Sequence, residues 1–359
     1  MKRAFLRNPK GSRDWLPEEV LKQEFVRKSL VKVFELWGYQ PIQTPILINW
    51  DTLTQGSKKL SDIAFKLIGQ QGDLLALRAD ITTPIARVTA ERLKNEKMPL
   101  RFYYVGKVFR YHARKTTNER ELYQIGTELI GAREGASDLE CIKVLIESLN
   151  KLGLRKYLIS ISHSDLWNEL FKFFGSIATE LYQSLAKKDF ISFKSIISKS
   201  RLSSAEKIFW NELIKIKGNK ESIAHLKRFN KLKKRLSRVL GYFERINNLF
   251  SDTVQIDLSL TSDVDYYTGI YFEVITPYLG RNLGSGGRYD QLINKFGLDL
   301  PATGFSLCLE DLLLALETQG KLFENIKSPR FFSSGGNIKK TLDAISKLHK
   351  KNKSATLKL

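Results

Sequence analysis

Two segments in the C-terminal half of the chain carry residue types that suit a small-molecule pocket. Residues 260–269 read LTSDVDYYTG, and residues 284–290 read GSGGRYD. Tyr266 and Tyr267 offer an aromatic wall with hydroxyl tips, which suits a planar ring such as imidazole; packing in the core is the plainer interpretation. The glycine run lacks the lysine of a P-loop, so we interpret its glycines as allowing close approach of backbone to a ligand.

A predicted β-hairpin supplies further polar groups. On its second strand Gln124 and Glu128 point to the same side, because strand side chains alternate. Gly126 between them leaves room above the sheet, so a small polar ligand could lie flat there. Arg110, at the end of the first strand, suits a carboxylate or phosphate bound through two hydrogen bonds. A solvent-facing row and a surface salt bridge are the alternatives.

Asp80 and Thr82 follow an apolar strand pattern and precede a helix. A carboxylate at this place can receive an ammonium group, and the hydroxyl adds direction. Helix capping is the alternative, since Asp and Thr are common capping residues. The sequence contains no HExxH, paired CxxC or nucleophile-elbow pattern. We therefore predict no metal, cofactor or catalytic nucleophile.

Apolar spacing predicts the elements that position these residues. Pro17 to Trp37 has the pattern of a helix with proline in its first turn, and Gly38 can end it. Residues 39–46 contain prolines and read as an extended edge. Further elements are predicted as a strand at 74–80, a helix at 83–92, and a long hairpin with strands at 101–112 and 121–131.

The later part of the chain changes character. Residues 166–249 are almost continuously helical, polar and lysine-rich, which indicates an inserted helical module. Later elements are predicted as strands at 253–260 and 269–276, a helical stretch at 289–296, a short strand at 304–307 and a helix to Gln319. We expect an α+β core formed by residues 1–165 and 250–320, a helical insertion at 166–249, and a short C-terminal tail at 321–359.

Composition limits the class of protein. The 359 residues are 42% hydrophobic, which is sufficient for a globular core. No apolar run approaches the roughly 18 residues that a membrane span needs, and the basic N-terminus lacks the apolar centre of a signal peptide. Cys141 and Cys308 fall in apolar helical patterns rather than at metal-ligand spacings. Buried thiols in a cytoplasmic protein are the expectation.

The charge leaves two interpretations open. Lysine and arginine number 59 against 38 acidic residues, a net charge of +21. Such an excess can favour nucleic acid, but a lysine-rich composition spread over solvated faces gives the same total. The clearest basic runs are residues 227–235 and the tail from Lys339 to Lys358. Few cations are interleaved with aromatic residues, which favours the compositional interpretation.

Taken in order, several segments resemble the class II core of histidyl-tRNA synthetases. The segments are residues 11–17 (GSRDWLP), 77–82 (LRADIT), 108–112 (VFRYH) through 124–128 (QIGTE), 286–292 (GGRYDQL) and 301–305 (PATGF). The resemblance extends to about Glu317. It implies a class II synthetase-like antiparallel sheet flanked by helices.

By this resemblance, eight residues match positions that contact histidine. They are Asp80, Thr82, Arg110, Gln124, Glu128, Tyr266, Tyr267 and Tyr289. Asp80 stands in place of a glutamate one methylene longer. Its contact with an amino group is therefore either direct or through a water molecule.

The departures from the synthetase pattern concern ATP. Ser262 stands where a synthetase has the arginine that assists adenylate formation. Asp311 replaces a third-motif arginine that grips ATP, which turns attraction for a triphosphate into repulsion. His112 occupies the place of a second-motif carboxylate near ATP. Fewer than about fifty residues follow the third motif, too few for an anticodon-binding domain. We expect histidine recognition to be retained and aminoacylation to be lost.

This combination resembles the family of regulatory subunits of ATP phosphoribosyltransferase, which are paralogues of the synthetase. The resemblance implies a short-form catalytic partner that condenses ATP with phosphoribosyl pyrophosphate in the first step of histidine synthesis. It implies L-histidine as the inhibitory effector, which must bind two states of the assembly with different affinity. It also implies a homodimer within a hetero-oligomer, formed through the first helix and the strand after it.

Two other functions are compatible with the sequence. One is a divergent histidyl-tRNA synthetase, which the two lost arginines and the missing tail disfavour. The other is a tRNA-binding or amino-acid-sensing paralogue, which the net charge of +21 keeps open. Neither tRNA nor a membrane is the expected partner.

Overall fold

The computed structural model describes residues 7–111, 119–216, 218–228, 234–262, 264–320, 323, 330–333, 338–351 and 353–358. Its helices are α1 (Pro17–Leu36), α2 (Trp50–Gly56), α3 (Lys58–Ser61), α4 (Thr82–Arg92), α5 (Ala136–Leu152), α6 (Ser164–Phe174), α7 (Ser176–Ala186), α8 (Phe190–Lys199), α9 (Ser204–Leu213), α10 (Asn219–Arg228), α11 (Ser237–Phe250), α12 (Leu309–Thr318) and α13 (Ile338–His349). Its strands are β1 (Gln40–Pro41), β2 (Leu47–Asn49), β3 (Phe65–Ile68), β4 (Leu74–Leu77), β5 (Leu100–Phe109), β6 (Glu121–Ile130), β7 (Leu158–His163), β8 (Val254–Ile256), β9 (Ile270–Ile275), β10 (Gly284–Arg288), β11 (Ala302–Cys308), β12 (Arg330–Ser333) and β13 (Ala355–Lys358).

A sheet of eight strands in the order β1-β5-β6-β11-β10-β9-β7-β8 forms the centre of the fold. Its inner pairs are antiparallel, whereas the edge pairs β1–β5 and β7–β8 are parallel. The predicted hairpin is confirmed, because β5 and β6 pair along their whole length. On the other side of β6, Gln124 lies opposite Cys308 and Glu128 lies opposite Gly304. This register places the polar residues of β6 beside β11.

The N-terminal helix is confirmed and covers one face of the sheet. Val26, Leu30 and Phe34 are fully buried, and α1 packs against α5 and α12. Gly38 ends the helix with φ +79°, a conformation that costs other residues strain. The short strand β1 follows at the sheet edge, which confirms the interpretation of the proline-containing segment.

Helices α6 to α11 make up most of the described residues between 164 and 250, so the predicted helical character of this segment is confirmed. Aromatic rings form much of its interior. The fully buried Trp210 lies 5.0 Å from Phe174 and 6.1 Å from Trp167, and Phe209 stacks on His225 at 4.7 Å. Large aromatic rings bury much apolar area per residue, which lets a lysine-rich segment keep a core. The division of this segment from the core as a separate domain stays a prediction.

A smaller sheet of β2, β4 and β3 lies beside α2 and α3. Its inner side chains Ile48 and Ala76 belong to an apolar cluster that also contains Tyr104, Tyr266 and Tyr289. The small sheet is therefore packed on the part of the molecule that carries the predicted ligand-binding residues.

Three details near the C-terminal side of the core differ from the predictions. The glycine-rich segment forms β10 in the middle of the large sheet, where a Cβ on Gly286 would lie 2.5 Å from the Gly304 carbonyl. The helical stretch predicted at 289–296 is wrong, because only a single 3-10 turn at Asn294–Phe296 is helical there. Cys308 ends β11 instead of lying in a helix, although both cysteines are buried as expected.

The expected C-terminal tail contains regular structure. Strands β12 and β13 pair in parallel, and α13 connects them. A strand-helix-strand connection of this kind is the usual way to join two parallel strands. The sequence pattern did not reveal it.

Candidate functional site

The eight residues expected to contact a ligand line one cavity. They come from the end of β4 and the start of α4, from β5 and β6, and from the segments before β9 and after β10. The remaining lining residues were not predicted as ligand contacts; they are Leu60, Val264, Ser285, Gly304, Phe305 and Ser306. The cavity volume is about 50 Å³, room for a few water molecules.

Glu128 forms the centre of the polar floor. It is 1% exposed and accepts hydrogen bonds from Thr82 Oγ1 at 2.7 Å and from the Tyr289 hydroxyl. A side chain on Gly304, directly opposite on β11, would collide with this carboxylate. Burial raises the pKa of Glu128 to about 8, because a low-dielectric site disfavours the charged form. Without a ligand the carboxyl is therefore mostly protonated at neutral pH.

Asp80 is a second buried carboxylate, and it also caps α4. Its Oδ2 accepts hydrogen bonds from the Thr83 amide at 3.1 Å and hydroxyl at 3.0 Å. Its Oδ1 is buried and has no hydrogen-bond partner among the residues that the structure describes. Burial raises the pKa of Asp80 to about 6. A buried acceptor without a donor is costly. A ligand ammonium group that donates to Oδ1 would remove this cost.

Gln124 and Arg110 also line the cavity. Gln124 donates from Nε2 to Ser306 Oγ at 3.2 Å, while its Oε1 is buried without a partner in the described ranges. Arg110 donates from Nε to the Ala79 carbonyl at 3.1 Å. Among the lining residues Arg110 carries the positive charge, and a guanidinium group can pair with a carboxylate of a ligand.

Three tyrosines form the aromatic wall. The ring of Tyr266 lies 5.2 Å from that of Tyr267 and 5.9 Å from that of Tyr289, both in edge-to-face geometry. Burial raises the pKa of Tyr266 and Tyr289 well above the ordinary value, so both hydroxyls stay protonated and can donate. The wall therefore combines ring faces with hydrogen-bond donors.

Arg288, the chain neighbour of Tyr289 at the end of β10, was not identified from the sequence as part of the site. It is 1% exposed, and its guanidinium donates to Asp138 at 2.9 Å, to Asp290 at 2.8 Å and to Ser137 Oγ at 2.6 Å. A buried arginine with several charge-assisted hydrogen bonds has a fixed orientation. The only available signal was its place in the glycine-rich segment beside a tyrosine.

The expected room above Gly126 does not exist. A Cβ there would collide with the Phe305 carbonyl and would lie 2.8 Å from the Tyr104 hydroxyl. The buried ring of Tyr104, on the neighbouring strand β5, occupies this place. Gly126 thus serves the close packing of strand and ring, and the cavity lies to the side of it.

The two residues that the resemblance places at synthetase arginine positions, Ser262 and Asp311, have internal partners. Ser262 bonds within its own loop, since its Oγ donates to the Val264 carbonyl at 2.7 Å. Asp311 is 1% exposed, and Arg281 donates to it at 2.6 Å. His112, the third departure, lies outside the described residues. Because Asp311 is an acidic residue paired with Arg281, it offers no positive charge that could attract a nucleotide phosphate.

Groups of side chains suited to hold a metal ion are absent from the described residues. In the same ranges, none of the helices is both long and apolar enough to cross a membrane.

The fold and the cavity together define a class II aminoacyl-tRNA synthetase-like core. The family model of histidyl-tRNA synthetase matches residues 11–312. A crystal structure from Bacillus halodurans, described as an ATP phosphoribosyltransferase regulatory subunit/histidyl-tRNA synthetase, superimposes with a TM-score of 0.87 at 28% identity. The superposition covers 99% of this chain and 93% of that one.

Sequence relatives narrow the family further. The chain is 35% identical to an ATP phosphoribosyltransferase regulatory subunit from Halothermothrix orenii, over 90% of this chain and 79% of the relative. It is 36% identical to a protein of the same name from Bacillus licheniformis, over 86% of this chain and 81% of the relative. The chain belongs to the family of ATP phosphoribosyltransferase regulatory subunits, which has the histidyl-tRNA synthetase fold.

Proposed function

We propose that this protein is the regulatory subunit of an ATP phosphoribosyltransferase and that its cavity binds L-histidine as the feedback effector. The observation that carries the proposal is the pair of buried acceptors without partners, Asp80 Oδ1 and Gln124 Oε1, beside an aromatic wall. The names of the relatives support the regulatory role.

Each part of L-histidine has a complementary group in the cavity. The ammonium group donates to Asp80 and Thr82, and the carboxylate faces Arg110. The imidazole ring lies against Tyr266, with a ring N–H directed to Glu128. Buried acceptors that lack donors favour a ligand that brings them.

The proposed partner is a short-form catalytic subunit in the cytoplasm, which requires this chain for activity. Histidine inhibits the assembly because it binds the inhibited state more tightly than the active state. The chain forms a homodimer within the hetero-oligomer, through α1 and the strand after it.

Aminoacylation is not part of the proposed function. Ser262 brings no cation to a reacting phosphate, and Asp311 is engaged with Arg281. Histidine-dependent exchange of pyrophosphate into ATP by the isolated protein would instead support a divergent synthetase.

The net charge of +21 leaves a tRNA-binding paralogue as the second candidate. Gel shifts with tRNA that weaken steeply as salt rises would support that candidate.

The substitution Glu128→Ala tests the ligand assignment. The ring N–H of the bound ligand favours the ionised form of Glu128. We therefore expect L-histidine affinity, measured by titration calorimetry, to fall about ten- to a hundredfold, the range for loss of a hydrogen bond to a charged group. The control is Glu244→Ala. Glu244 lies on α11, is exposed and pairs with Lys227, so this variant should leave affinity unchanged. Circular dichroism checks that both variants fold. Equal affinity for both variants would refute the assignment of the cavity.

A further inference from the structure

We propose that Asp265 is a positioning residue, which holds two walls of the histidine cavity together without contacting the ligand. The two walls are the segment 57–60 and the tyrosine loop, residues 264–267. This inference rests on the proposed function, because it assigns an effect on histidine affinity to a residue outside the cavity lining.

Two of the hydrogen bonds that join the two walls go to one carboxylate. Asp265 Oδ1 accepts a hydrogen bond from Ser57 Oγ at 2.5 Å, and Oδ2 accepts one from the Lys58 amide at 3.2 Å. Beside them, Lys59 Nζ donates to the Ser262 carbonyl at 2.9 Å. Three consecutive residues of the segment thus bond to the loop or to Ser262, which lies two residues before it. We call the bonds of Ser57 and Lys58 to Asp265 the carboxylate clamp.

The carboxylate clamp lies directly behind cavity-lining residues on both sides. Leu60 belongs to the same helical turn as Ser57, and its amide donates to Ser57 Oγ at 3.2 Å. Val264 and Tyr266 are the chain neighbours of Asp265. All three neighbours line the cavity, whereas Asp265 itself is exposed to solvent. Movement at the clamp must therefore move both walls.

The chemistry of the clamp makes it stronger than an ordinary surface contact. Ser57 is 1% exposed, and a hydroxyl that donates to a carboxylate forms a charge-assisted hydrogen bond. Ser57 also caps α3, so one hydroxyl fixes both the helical turn and the loop. The two walls come from parts of the chain about 200 residues apart. Without the clamp, histidine binding would have to order them, which lowers affinity.

The test uses three variants of the full chain and a matched control. Asp265→Ala removes the clamp. The double variant Ser57→Asp with Asp265→Ser exchanges the two groups, so a carboxylate–hydroxyl bond forms again and aspartate still caps α3. Ser57→Ala removes the hydroxyl alone. Asp189→Ala, which removes an exposed cap that accepts from the Ser192 amide at 2.9 Å on α8, is the control.

Two readouts are measured on each protein: histidine affinity by calorimetry, and amide hydrogen exchange of residues 57–60 and 264–267 without ligand. We expect Asp265→Ala and Ser57→Ala to weaken binding about tenfold and to speed exchange in both segments. The exchanged double variant should recover most of the affinity, and Asp189→Ala should match the wild type in both readouts. Affinity that is unchanged in Asp265→Ala, or no recovery in the double variant, would overturn the positioning role.

The two readouts separate this inference from the proposed function. If the wild type binds no histidine, the proposed function fails, while faster exchange in Asp265→Ala still supports the clamp. If the wild type binds histidine and Asp265→Ala changes neither readout, the clamp is wrong and the proposed function stands.

Discussion

At the scale of single residues, the cavity is dominated by two buried carboxyl groups with raised pKa values. In the folded protein Glu128 has a pKa of about 8, against an ordinary value of 4.5. Asp80 changes in the same direction, to about 6 from 3.8. In both cases burial is the main cause. These groups are costly to ionise without a ligand, so they are more readily explained by ligand binding than by stability.

The raised pKa of Glu128 gives a pH prediction for the ligand-free protein. Between about pH 4.5 and 8 the folded state keeps a proton on Glu128 that the unfolded state has lost. The free energy of unfolding should therefore fall as pH rises through this window, by a few kcal/mol at most. Denaturant unfolding from pH 5 to 8 should show a flatter dependence in Glu128→Gln than in the wild type. Parallel curves for the two proteins would contradict the assigned pKa.

The sequence predicted cavity-lining residues where they belong to motifs of fixed order. It failed where tertiary packing determines the surroundings of a residue. The motif-matched residues, such as Asp80 and Tyr289, line one cavity, although their role as ligand contacts stays a prediction. Leu60 and Ser306 had no distinguishing chemistry in the sequence. The role of Gly126 was misjudged, because the ring that fills the space beside it comes from a neighbouring strand.

At the scale of elements, the pairing of β5, β6 and β11 controls the site. Gly126→Ala should destabilise the protein by roughly 1–3 kcal/mol or more, since the added methyl group overpacks against backbone and ring. Gly241→Ala provides the contrast, because a Cβ on this residue of α11 meets nothing within 4 Å. That variant should gain about 0.5–1 kcal/mol from helix propensity. Thermal unfolding of both variants is the measurement, and equal changes would show that the close approach at Gly126 is not limiting.

Elements with strong periodicity were predictable, and those set by tertiary pairing were not. The spacing of Val26, Leu30 and Phe34 predicted α1, and alternation predicted the β5–β6 hairpin. Strand β10 was missed, because glycine has low strand propensity and its pairing depends on neighbours. The helix at 289–296 is the opposite error, because a regular element was predicted where the chain forms turns. The apolar spacing there reflects the burial of these turns, since Leu292 and Ile293 are fully buried.

At the scale of the whole molecule, the chain has a synthetase-like fold, whereas the loss of its nucleotide contacts stays a prediction. The large sheet keeps the arrangement of the fold family. The buried Asp311, which pairs with Arg281, stands at a position that the resemblance assigns to an ATP-binding arginine. Net charge and composition alone could not have distinguished a regulatory subunit from an active synthetase, because neither quantity depends on the positions of residues.

Reconstitution with the short-form catalytic subunit from the same genome tests the central claim most directly. Turnover of ATP and phosphoribosyl pyrophosphate would be followed across a histidine titration, with wild type, Glu128→Ala and the control Glu244→Ala. We predict that the wild-type chain restores activity and confers inhibition by histidine. We predict that Glu128→Ala restores activity but needs about ten- to a hundredfold more histidine for inhibition. A catalytic subunit that is neither activated by this chain nor made sensitive to histidine would contradict the account.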